Sequence, residues 1–171
     1  MNNAHIHLLI NHVPVLGTLL VLALLAFAAA RRSSGRTRDA LGVLAVLGAV
    51  SVVVYLTGGA AEDSVENLPG VSERMIESHE EAALAATVAL GALAALAIAT
   101  LWRFRGRVLP RWVAFAGLFG TAVVAGMMAW TANLGGQIRH SEIRADGAAA
   151  TVEAAVPAAD EGHERGEEQA R

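Results

Sequence analysis

The chain of 171 residues is 54% hydrophobic and only 17% charged, against about 25% charged in a soluble domain, and its mean hydropathy of +0.46 exceeds what a soluble fold of this size can hide. It has no cysteine, which excludes a disulfide framework, thiolate zinc sites, iron–sulfur clusters and cysteine nucleophiles. The formal net charge of −3 averages over arginines gathered in two places and acids gathered elsewhere, and no basic stripe is interleaved with aromatics, so nucleic acid has no support as a partner.

Four apolar runs, at about 13–30, 40–57, 82–101 and 112–132, each approach the ~20 residues that carry an α-helix across a bilayer. Backbone in lipid must satisfy its own hydrogen bonds, so these runs predict helices and not strands. The expectation is an all-α integral membrane protein. Residues 1–144 should form a four-helix up-down bundle, with helices at about 12–31, 39–58, 73–102 and 111–133. Residues 145–171, acidic and almost without large apolar side chains, read as a disordered tail, which makes His163 within it uninformative.

Before the first run, residues 1–12 contain no Lys or Arg, whereas Arg31 and Arg32 follow it. That charge order predicts an anchored, uncleaved helix with its N-terminus outside. Asn11 is a candidate N-cap and Pro14 falls in the first turn, which places His12 there too. His5 and His7 would share a face only if this segment is extended. If it is helical, His5 and His12 share one.

The first connection carries Arg31, Arg32, Arg36 and Arg38, and the third carries Arg103, Arg105, Arg107 and Arg111; both are expected in the cytoplasm. The second connection holds Glu62, Asp63, Glu66, Glu73 and Glu77 against Arg74 alone, and is expected outside with both termini. Trp102 and Trp112 would then sit at the inner interface, Tyr55 and Trp130 at the outer one. Before the third run, Pro69–Gly70 reads as a turn and Ser72 as an N-cap, with Met75 and His79 on one helical face at spacing four. Glu80 and Glu81 stand beside His79, either as solvated rim carboxylates or as groups that orient an imidazole.

In the fourth run, Ala116 and Gly120 form a small-xxx-small pair suited to close packing in lipid, while Gly17, Gly91 and Gly126 read as ordinary membrane-helix glycines. Gly135–Gly136 is expected to stop the helix. Arg139, His140, Glu142 and Arg144 then follow closely, with arginines suited to clamp propionates, phosphates or lipid headgroups.

On this topology His5, His7, His12, His79 and His140 all fall on the outer side. His12 and His79 stand at the mouths of apolar runs, where an ionisable group is usually paired or functional. They are the first-choice ligand pair, and His140, His7 and Arg139 complete the candidate cofactor site.

The set Asn11-His12-Val13-Pro14, Tyr55-Leu56-Thr57-Gly58, His79-Glu80 and Gly135-Gly136-Gln137-Ile138-Arg139-His140 resembles that of a family of small four-helix bacterial membrane proteins catalogued as a domain of unknown function. The likeness covers nearly the whole chain except the tail. It implies a four-helix fold in a bacterial inner membrane, and helix-end histidines of the kind compared with b-type cytochromes. It implies no activity.

Three readings follow. The first is a bundle that binds haem b near its outer face, with His12 and His79 as axial ligands from facing helices. With no histidine on the cytoplasmic half there is no second haem to relay electrons across the bilayer, so a redox or sensing role stays on the outer side, with a quinone or a periplasmic electron carrier as partner. The second is a non-haem copper, iron or zinc site built from His5, His7, His12, His79, Glu80 and His140, tilted toward copper if Met75, Met127 and Met128 face it. The third is a cofactor-free accessory or structural subunit whose polar outer ends dock a partner. A hydrolase ranks below these for want of a nucleophile and base constellation.

Overall fold

The computed structural model describes residues 3–62, 71–140 and 143–144. Among them every regular element is helical: α1 (Asn3–Ile10), α2 (His12–Ala30), α3 (Ser34–Glu62), α4 (Glu73–Arg103) and α5 (Arg111–Arg139). The expected tail and the acidic stretch 63–70 lie outside the described residues.

The first two elements are one helix with a flaw. Asn11 has helical dihedrals, and its N–H donates to His7 O at 2.9 Å. The flaw falls one turn before Pro14, whose ring has no N–H to give and crowds the carbonyl four residues back. Helical structure therefore begins well before residue 12, and Asn11 makes no side-chain cap bond. With α1 and α2 joined, the described residues contain four helices long and apolar enough to cross a membrane: His5–Ala30, Ser34–Gly59, Glu73–Arg103 and Arg111–Ile138.

These helices are apolar on both sides. An inner stripe that includes Val21, Leu25, Leu44, Leu90, Val124 and Met128 forms the core, while Leu16, Val46, Leu96 and Phe119 point outward, each more than 60% exposed. A helix hydrophobic all round belongs in a non-aqueous setting. Small residues set the closest approaches, because dispersion contacts and not water expulsion hold such helices together. A Cβ on Gly48 would stand 2.3 Å from the Ala94 Cβ, so α3 and α4 meet almost backbone to backbone. Gly120 likewise receives Leu93, but its expected companion Ala116 is exposed. Around the core α2 packs on α3, α3 on α4, α4 on α5, and α5 on α2.

At one end the connections are short and tied. The α2–α3 turn closes with Ser33 N–H donating to Ala28 O and Arg32 N–H to Ala29 O, at 3.0 and 3.1 Å. This is the paired bonding of a Schellman motif, with Arg32 in the left-handed position at φ 49. Glycine there would avoid roughly 1 kcal/mol of steric cost. Across from it, the Arg38 guanidinium donates to Phe104 O at 2.6 Å and to Arg107 O, and Leu109 N–H donates to Ser34 Oγ at 2.9 Å. The 104–110 connection, with Gly106 at φ 72, is thus fastened to the start of α3.

At the other end α5 does not stop at Gly135–Gly136 but runs to Arg139. Two glycines weaken a helix without ending it when its last carbonyls find partners. Here Arg144 supplies them, Nε donating to Gln137 O at 2.7 Å and Nη2 to Ile138 O at 3.1 Å.

Candidate functional site

Because α1 is helical, residues 7, 11, 14, 18, 21 and 25 follow one another at spacings of three and four and share one face. That face looks inward: Pro14, Thr18, Val21 and Leu25 are buried, and His7 and Asn11 half-buried. His5 and His12 fall off it and are exposed. The structure therefore turns His7 toward the interior, not His12, for the simple reason that His12 is one residue round the helix from the stripe. On α4 the same spacing joins Ile76 to His79, Ala86 and Leu90, so His79 is also on the inward face, half-buried.

Each of these imidazoles is held in the same way. His7 Nδ1 lies 3.2 Å from Val54 O and 3.3 Å from Thr57 Oγ1. The Thr57 hydroxyl gives its own hydrogen to Val54 O at 2.8 Å, so toward His7 both partners can only accept. Nδ1 must then carry the proton, which leaves Nε2 with its lone pair. His79 Nδ1 lies 3.1 Å from Thr131 O, a carbonyl that can only accept, and the same assignment follows.

Glycine backs both rings. A Cβ on Gly58 would come within 3.2 Å of His7 Cε1, and one on Gly135 within 2.9 Å of His79 Cε1. A Cβ at Gly135 would require the His79 ring to shift, and one at Gly58 would require the His7 ring to give by a few tenths of an ångström. Gly58, next to Thr57, and Gly135 thus share a role as close neighbours of histidine rings. One turn below His7, Asn11 Oδ1 is buried with no hydrogen-bond partner among the described residues.

Comparison with family models, with curated proteins and with solved structures finds no match.

The remaining expected site residues are placed as follows. His140 is exposed just beyond the end of α5, and Arg139 is the last residue of that helix, its side chain outside the described set. Arg144 is engaged with the α5 carbonyls. Glu80 and Met75 are half-buried, Met127 half-buried and Met128 part of the core. Asp63, Glu142 and His163 lie outside the described residues. Among the described residues no three of His, Cys, Asp or Glu come together as a metal-binding group.

Sequence reading had His7 only in reserve and missed Asn11, Thr57, Gly58, Thr131 and Gly135 as parts of the site. The signal for His7 and Asn11 is the inward stripe itself, continued backward through Pro14. Nothing in the sequence joins Gly135 to His79.

Proposed function

We propose that this protein is a multi-pass membrane protein of bacterial inner-membrane type, an up-down four-helix bundle whose arginine-rich connections face the cytoplasm, and that it binds haem b at the opposite end through Nε2 of His7 and His79. The observation that carries the reading is the matched pair of inward imidazoles, each with Nδ1 committed to a backbone carbonyl. That arrangement fixes tautomer and ring orientation and raises the basicity of the other nitrogen, as metal-bound histidines require. His12, the first choice from sequence, is replaced in the pair by His7.

Haem is favoured over a bare metal ion by the number of ligands. Two axial imidazoles complete the coordination of haem iron, whereas a non-haem ion takes three or more protein donors, and the described residues gather no such group. The bound group would supply one-electron redox chemistry. The chain's own part is to orient the ligands on Val54 O and Thr131 O, to leave room beside Gly58 and Gly135, and to offer Asn11 Oδ1 as a buried acceptor. All the histidines of the described helices lie at this end, so the function is a redox or sensing role on the outer side, with a quinone or a soluble electron carrier as the class of partner.

The experiment is an optical spectrum of the detergent-purified protein, oxidised and reduced, for wild type, H7A, H79A and H12A. Wild type and H12A should show a low-spin haem spectrum, and H7A and H79A should lose it. Loss on H12A with H7A unaffected would return the assignment to His12. No Soret band but stoichiometric metal by elemental analysis would favour a non-haem site completed by residues beyond those described. Neither haem nor metal would leave an accessory subunit. Orientation is tested by impermeant thiol labelling of G35C and S72C in intact cells, where S72C alone should react.

A further inference from the structure

The arginine end carries a second candidate site. Residues 31–39 and 103–111 hold eight arginines and a single acid, Asp39, yet most of these cations already have a partner. Arg31 and Arg36 lie over the Phe27 ring at 5.4 and 5.1 Å, Arg103 over Phe104 at 5.6 Å and Arg105 over Trp102 at 5.8 Å. Arg38 is spent on the carbonyls of the α4–α5 connection. Arg32, Arg107 and Arg111 are used in neither way, and of these three Arg32 and Arg111 stand together. Both line one cleft of about 100 Å³, between the α2–α3 turn and the start of α5, together with Ser33, Ser34 and Thr37.

All but one of the polar side chains of this cleft have a hydrogen to give. Ser34 Oγ accepts Leu109 N–H at 2.9 Å and Ser33 Oγ accepts Arg36 N–H at 3.4 Å, so each hydroxyl keeps its own hydrogen to give. Thr37 gives its hydrogen to Ser33 O. Among the described residues no carboxylate lines the cleft. Two guanidiniums and two hydroxyl donors call for an anion with several acceptor oxygens, and planar guanidinium forks match those of a phosphate. Arg111 is also the first residue of α5, where the helix dipole favours negative charge.

The walls identify the rest of the ligand. Val108 and Phe115 also line the cleft and are 81% and 53% exposed, so the anion's neighbourhood is apolar. Trp102 and Trp112, 67% and 62% exposed at this same end, stand where indole rings mark the headgroup level of a bilayer. We propose that the cleft binds the phosphodiester headgroup of an anionic phospholipid in the leaflet on the arginine side. This rests on the reading of the helices as membrane crossings. Failure to reconstitute would count against that reading, and indifference to lipid charge after reconstitution against this one.

The test is thermal unfolding of the full chain in nanodiscs of phosphatidylcholine, with and without phosphatidylglycerol. A ligand that binds only the folded state raises the midpoint, so phosphatidylglycerol should raise that of wild type by several degrees. R32A/R111A should lose most of the rise, and R31A/R36A, whose side chains stack on Phe27, should keep it. Equal loss in both pairs would mean diffuse charge and overturn the site, as would a full rise in R32A/R111A. Inorganic phosphate producing the same rise in pure phosphatidylcholine would overturn the lipid assignment. Should R32A/R111A not fold, R32K/R111K keeps the charge but not the forks, and an undiminished rise in it would equally overturn the proposal.

Discussion

At the arginine end, Arg38 turns its guanidinium onto the carbonyls of Phe104 and Arg107, and Ser34 receives the N–H of Leu109. At the histidine end, His7 and His79 also bond to carbonyls of neighbouring helices, but each through one ring nitrogen, with the other left over. Both ends fasten one helix to another by a side chain on a backbone oxygen. An arginine has only donors and no lone pair to offer, so once spent it is structural. A neutral imidazole spent at Nδ1 still has a lone pair at Nε2, so the same kind of anchor also presents a ligand. Arg38 closes the fold at its end with donors alone, whereas His7 and His79 do so while each keeps a lone pair.

That contrast is open to attack. The largest effect on stability should come from R38A, which strips two carbonyls of a charged donor. Such bonds contribute roughly 1.5–3 kcal/mol each, but the one to Arg107 O is exposed and water can replace it, so a loss of about 2–4 kcal/mol is expected in denaturant unfolding of the detergent-solubilised protein, with haem content per folded molecule unchanged. A loss of haem equal to that of H79A would break the distinction between the ends.

G135A is expected to cost about 1–3 kcal/mol, the usual range for overpacking, because the added methyl meets His79 Cε1 at 2.9 Å. It should also weaken haem retention by displacing the ring from Thr131 O, so both readouts should move. If stability alone changed, the glycine would be packing and not a cradle.

S34A removes the acceptor for Leu109 N–H and should cost about 1 kcal/mol, the net worth of a neutral hydrogen bond, again without touching haem. The smallest effects belong to H12A and H140A, both at exposed positions, where unfolding should shift by less than about 0.5 kcal/mol and the haem spectrum should not change. A spectral change in either would enlarge the site beyond the His7–His79 pair.

Much of the architecture was legible in residue order. Four apolar stretches of membrane length, arginines concentrated in alternate connections and Ser72 ahead of α4 each follow from local composition and spacing. The errors have local causes as well. Asn11 before Pro14 looks like a helix start, but the chain approaching it is already helical, and Gly135–Gly136 looks like a stop, but Arg144 supplies the carbonyl partners that let α5 continue. In both places a local signal gave way to hydrogen bonds that span a turn or more.

The sequence by itself determined that the chain is helical, apolar on every side and rich in histidine at one end, because those properties depend on composition and period alone. Which histidines turn inward, and what holds them, only the tertiary structure decided. His7 and His12 differ by five residues, and that fixes their faces only once the helix is known to begin at residue 3. The pairings of His7 with Val54, His79 with Gly135, and Arg38 with Phe104 span 47, 56 and 66 residues. The register of α1 on α3, of α3 on α4 and of α4 on α5 sets them, and between α3 and α4 that register depends on how closely Gly48 and Ala94 let the helices approach.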